Sequence, residues 1–144
     1  MILGVNIINL VTHSDSRGFF REIFRMSENF PGLKVEQISH SRANRGVVKG
    51  WHGHVFQSQW NYVLSGEISV ALLDWRQNSD TKGTVMNFVA GENSKICYFF
   101  PPGIFHAYRC NSKSMDILYC TSGKYDLKDE VRFDFGEIGV GPNF

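Results

Sequence analysis

Gly and Pro punctuate this chain at intervals of roughly ten residues. That spacing leaves room for strands and little room for helices. "EISVALLDW", Glu67 to Trp75, sets Ile68, Val70 and Leu72 against Ser69, Ala71 and Leu73, which predicts a strand with one well-buried face. "TVMNFVAG", "KICYFFPPG" and "MDILYCTSG" are further β-rich runs ending in turn residues. The best helical candidate is only "RMSENF", Arg25 to Phe30, closed by Pro31-Gly32. Evenly spaced short strands predict a sandwich, barrel or jelly roll. The expectation is one antiparallel β domain spanning residues 1–144, open enough at one end to hold a ligand.

Composition removes several function classes. The net charge of +1 gives no attraction to nucleic acid, and no 18-residue apolar run proposes a membrane span. Met1 is not followed by a charged-then-apolar leader. Cys97, Cys110 and Cys120 are odd in number and form no CxxC pair. Free thiols in a reducing, cytoplasmic compartment are the expectation.

The stretch from Gly46 to Gly66, "GVVKGWHGHVFQSQWNYVLSG", holds two of the five histidines. Alternate residues of a strand share a face. His52 and His54 therefore point the same way, with Phe56 expected next on that face. Such a pair can hold a metal, move a proton or stand as hydrogen-bonded core residues. The spacing of Gly46, His52, His54, Gln59 and Gly66 resembles the first motif of the cupins, with Gln59 where the usual motif has Glu. "FPPGIFHAY", with Pro101, Gly103 and His106, resembles the second. The resemblance implies an all-β fold, the cupin-type double-stranded β-helix or jelly roll. His52, His54, His106 and an amide oxygen of Gln59 would suit a divalent metal, although an amide is a weaker ligand than a carboxylate and many cupins hold no metal.

A longer resemblance covers roughly Asp15 to Val140. "DSRGFFREIF", "QISHSRANRGVVKGWH", "LLDWRQNSDTKG", "FPPGIFHAY", "ILYCTSGKY" and "DEVRFDFGEIGV" are similar, in order and spacing, to segments of the dTDP-4-dehydrorhamnose 3,5-epimerase family. It implies a metal-free and cofactor-free isomerase of nucleotide-linked 4-keto-6-deoxy sugars, working in deoxysugar and surface-polysaccharide biosynthesis. Hydrogens on the carbons flanking a ketone are acidic. Epimerisation needs a base, support for the enolate, and an acid on the opposite face. The resemblance gives His52 the base position, Tyr119 the proton-donor position and His106 a place near the carbonyl. Arg17, Phe20, Glu22 and Gln37 fall on nucleotide-binding positions, and Tyr125 on a substrate-binding one. It also implies a homodimer, because the Arg17 segment of the family reaches into the neighbouring subunit.

The sequence departs from that pattern at four points. Lys49 replaces the substrate-binding Arg, keeping charge and losing the planar fork. Ser39 replaces an Asn. Gln59 replaces the Lys that supports the enolate. The carboxylate that orients the base histidine comes, in the family, from a longer tail, so His52 is expected to be unpaired. A local similarity of "KGWHGHVFQSQ" to the nucleotide-sugar 3,4-ketoisomerases offers an alternative in which His52 and His54 together shift a carbonyl. A non-catalytic nucleotide-sugar-binding cupin is the alternative from another class. Tyr119 as a core phenol, Arg17 as a surface ion-pair partner of Glu22 or Asp15, and Asp74 with Arg76 as a structural pair are the plainer readings.

Overall fold

The computed structural model describes residues 1–144. Twelve strands and one helical turn follow in order: β1 (Asn6–Asn9), β2 (Thr12–Asp15), β3 (Gly18–Arg21), α1 (Met26–Asn29), β4 (Gln37–Asn44), β5 (Val48–His54), β6 (Gln59–Ser65), β7 (Glu67–Asp74), β8 (Val85–Gly91), β9 (Ile96–Phe100), β10 (Ile104–Cys110), β11 (Ser114–Thr121) and β12 (Glu130–Arg132). Ten of the strands form two antiparallel five-stranded sheets, ordered β1-β9-β6-β11-β4 and β12-β5-β10-β7-β8. This is the expected cupin-type jelly roll. The short helix at Met26–Asn29 matches the "RMSENF" expectation. No helix is long and apolar enough to cross a membrane.

Period-2 alternation explains both the core and the opening at one end. The inward positions of β4, β6 and β11 change character along each strand. Ala43, Val63, Met115 and Ile117 are buried in the main core with Ile68, Val70, Leu72 and Phe100. Further along the same faces come Ser41, Ser39 and Gln37 on β4, Gln59 on β6, and Tyr119 and Thr121 on β11, all lining a cavity. One end of the sandwich is therefore sealed by aliphatic packing, while the other is lined by groups that need partners.

The strand at Glu67–Asp74 departs from its expectation. Ala71 and Leu73, on the outward face, are fully buried along with Ile68, Val70 and Leu72. The chain after β12 covers that outer face. Phe133, Phe135, Ile138, Val140 and Phe144 pack on Trp51, Ala71, Leu73, Phe105 and Ala107, and Trp51 Nε1 donates to Val140 O at 2.9 Å. Asp74 and Arg76 are the structural pair. Asp74 Oδ2 accepts from Arg76 Nη2, Ser79 Oγ and Thr81 Oγ1 at 2.8, 2.6 and 2.6 Å. Burial works to raise its pKa, but these donors outweigh it and hold the carboxyl well below the usual range.

Candidate active site

A cavity of about 280 Å³ opens between the two sheets at the polar end. Of the sequence-predicted residues, His52, His54, Gln59, His106, Tyr119, Gln37, Ser39, Lys49 and Tyr125 all line it. The sheet of β5, β10 and β12 supplies the three histidines. The opposite sheet supplies Tyr119, Gln59, Gln37 and Ser39.

Register accounts for the histidine cluster. His106 on β10 pairs directly with His52 on β5. The His52 ring lies 4.8 Å from that of His54 and 5.0 Å from that of His106, centroid to centroid. A bulge in β5 does the rest. Tyr108 pairs with Lys49 while His106 pairs with His52, so β5 carries one extra residue opposite β10. Lys49 and His52 are three apart and would lie on opposite faces of a regular strand. The bulge brings both to the cavity. Only glycine fits at its centre: a Cβ on Gly50 would sit 2.4 Å from the Ala107 Cβ.

Two carboxylates back the histidines: Glu130, the first residue of β12, and Asp129, immediately before it. Glu130 Oε1 lies 2.8 Å from His52 Nε2, a close charge contact whose hydrogen-bond alignment is poor. The same oxygen accepts from Arg132 Nη2 at 3.0 Å. Asp129 Oδ2 accepts from His54 Nδ1 at 3.0 Å, and its Oδ1 accepts from the Phe56 N–H at 2.6 Å. The expectation of an unpaired His52 is thus corrected: the carboxylate arrives on a neighbouring strand, paired Glu130 to His54 and Arg132 to His52 in register. The sequence signal was the adjacent acidic pair opening the β-type run "DEVRF". Phe56 is also corrected. The chain bends after His54, and Phe56 is turned out to solvent.

Burial sets the proton chemistry. It lowers the His52 pKa, with the His54 charge acting in the same direction, while Glu130 works to raise it. His106 is pushed well below the ordinary histidine value by burial and by both other histidines, and its Nδ1 is buried without a protein partner. Burial, and then neighbouring Tyr108, push the Tyr119 phenol up, so it stays protonated. The Tyr108 hydroxyl is buried without an aligned partner. Because Glu130 supports the imidazolium, Glu130→Gln removes negative charge and the His52 titration is expected to move to lower pH. Histidine-resolved NMR titration checks this; an unchanged or raised value would show that the 2.8 Å contact carries no coupling.

No three His, Cys, Asp or Glu side chains are arranged to hold a metal ion. His52 and His54 each turn one ring nitrogen to a carboxylate, and the Gln59 amide donates to Asn61 Oδ1 at 2.7 Å. Gln37 Nε2 donates to Ser39 Oγ at 3.0 Å, and its Oε1 accepts from the Tyr125 N–H at 2.8 Å. Arg17, Phe20 and Glu22 stand apart from this cavity. Arg17 pairs with Asp15 at 2.6 Å, Glu22 pairs with Arg25 at 2.9 Å, and Phe20 is exposed on the β2–β3 hairpin. Beside Asp129 and Glu130, the residues the sequence reading missed are Ser41, Gln57, Tyr108, Thr121 and Arg132.

The sequence model described as dTDP-4-dehydrorhamnose 3,5-epimerase matches residues 1–140. The chain belongs to that family. It is 35% identical, over all of its own length and 97% of the relative's, to the spore coat polysaccharide biosynthesis protein SpsL of Bacillus subtilis. It is 30% identical, over 89% of this chain and 83% of the relative, to a probable low-salt glycan biosynthesis epimerase of Haloferax volcanii. Among solved structures, dTDP-6-deoxy-D-glucose-3,5-epimerase from Legionella pneumophila, in complex with dTDP-4-keto-L-rhamnose, superposes with a TM-score of 0.89 at 25% identity. That match covers 98% of this chain and 78% of the other. The 3,4-ketoisomerase alternative is not favoured, since the family match runs over nearly the whole chain and the ketoisomerase likeness over one strand and its turn. Gln59 and Lys49, two of the positions where the sequence was expected to depart from the family pattern, both line the cavity.

Proposed function

We propose that this protein epimerises a nucleotide-linked 4-keto-6-deoxy sugar at C3, C5 or both, in deoxysugar and surface-polysaccharide biosynthesis. One observation carries the reading: His52, backed by Glu130, and Tyr119 line one cavity from opposite sheets. Inverting a carbon requires a base on one side of the sugar ring and an acid on the other. His52 takes the hydrogen as a proton, and the electron pair it leaves forms the enolate. His106 stands beside His52 to support the oxygen. Tyr119 returns a proton to the opposite face. Gln59 contributes a neutral amide where the family has a cation. Charged hydrogen bonds are about twice as strong as neutral ones, so the harder of the two enolates is the one this site forms less readily. Lys49 and Arg132 supply positive charge for a diphosphate. The sugar is followed by NMR in D₂O with protein stripped by chelator. Deuterium is expected at C3 at least, without added metal. Binding without incorporation at either carbon would move the assignment to a nucleotide-sugar-binding cupin. Activity lost on stripping and restored by metal would return the histidine cluster to a metal reading.

The working unit in this reading is a homodimer. The β2–β3 hairpin is a separate two-stranded sheet, and Phe19 and Phe20 are 64% and 68% exposed. An isolated hairpin is marginal in water, and paired exposed aromatics on it suit an interface. Arg17, Phe20 and Glu22 would then complete the nucleotide end of the partner's cavity. Phe19→Asp with Phe20→Asp is expected to give a monomer by sedimentation, with KM for the nucleotide sugar raised more than tenfold. A variant that stays dimeric with unchanged KM would remove the hairpin from both roles. The three buried free thiols suit a reducing cytoplasm.

A further inference from the structure

Asp129 is buried more deeply than Glu130, with side chains 3% and 10% exposed, yet the chemistry given to His52 and Tyr119 makes no use of it. Both its oxygens are held, one by the Phe56 N–H and one by His54 Nδ1. A carboxylate fixed in this way sets the tautomer of its histidine. The proton sits on Nδ1, and Nε2 is left as the basic nitrogen. The His54 ring shares the inward face of β5 with His52, 4.8 Å away, and lines the same cavity. One wall therefore carries two imidazoles, each with its own carboxylate, supplied by two consecutive residues.

A 4-keto hexose of gluco configuration has two acidic ring hydrogens, at C3 and C5, both axial on the same face. A wall facing that side of the ring meets both. We propose that His54, held by Asp129, is a second general base, so that His52 and His54 each serve one of the two carbons flanking the ketone. The step at His54 is a proton transfer only. Its Nε2 takes the hydrogen, the C–H pair becomes the enolate double bond, and the carbonyl pair moves to oxygen. Reprotonation from the opposite wall restores the ketone with the centre inverted, and the imidazolium loses its proton to solvent.

The proposal rests on the epimerase reading, and site-resolved exchange separates the two. Wild type, His54→Gln and Asp129→Asn are incubated in D₂O with a nucleotide-linked 4-keto-6-deoxy hexose of gluco configuration, and incorporation at C3 and C5 is timed separately. Wild type is expected to exchange both. His54→Gln is expected to lose exchange at one carbon by about 10²-fold or more, the scale of a general base, and to keep the other within threefold. Asp129→Asn, which frees the tautomer, is expected to show the same one-sided loss. Equal losses at both carbons would mark a structural pair, and no loss would mark a bystander; either result overturns the second base. So does a wild type that exchanges only one carbon. A wild type that binds the sugar and exchanges neither carbon refutes the epimerase reading itself.

Discussion

His52→Asn is expected to lower turnover by about 10² to 10⁴, the span that removal of a general base produces, while affinity for the nucleotide sugar changes little. Asn keeps a polar group in the same place and deletes the basic nitrogen. Folding is not expected to suffer. The His52 side chain is 26% exposed, and Glu130 keeps its bond to Arg132 when the imidazole leaves. The affinity expectation follows from the proposed function: the cavity residues it gives to the nucleotide and diphosphate are Gln37, Ser39, Lys49, Arg132 and Tyr125, none of which bonds to His52. Initial rates, with calorimetric titration of the variant, check both halves. Turnover equal to the parent's would remove His52 from the reaction. A parallel loss of affinity would make it a binding residue instead.

How far this site could be read from the chain depends on which residues are compared. The His52–His54 pair was legible because alternation is local and residues two apart on a strand share a face. Gln37, Ser39 and Tyr119 came from the family resemblance and Gln59 from motif spacing; in the structure they share the inward faces of β4, β6 and β11 with Ala43, Val63 and Ile117. Lys49 was placed by resemblance alone, since period 2 puts it on the wrong face and a bulge cannot be seen in residue order. Glu130 and Asp129 were hidden by distance. They lie more than seventy residues from the histidines they serve, on and just before a strand only three residues long. The outward burial of Ala71 and Leu73 was hidden likewise, because the segment that covers them comes after β12. Phe56 shows the opposite failure: alternation was extended one step past the end of β5.

Tyr119→Phe is expected to separate two events that His52→Asn removes together. Phe keeps the ring, which packs against the main core, and deletes only the hydroxyl. Burial holds that phenol in its protonated form, the state that a proton donor needs. Without it, His52 still faces its carbon, still has Glu130 behind it, and still forms the enolate. The only proton then available returns from the imidazolium, on the face it left. In D₂O the variant should therefore incorporate deuterium at the carbon with its configuration retained. Inverted product should fall by about 10² to 10⁴. Timed NMR reads both quantities in one sample. Inversion at the parental rate would show that solvent or another side chain supplies the opposite face. Loss of incorporation together with inversion would show that Tyr119 is needed to form the enolate, and the division of labour between the two sheets would have to be redrawn around the β6–β11 wall.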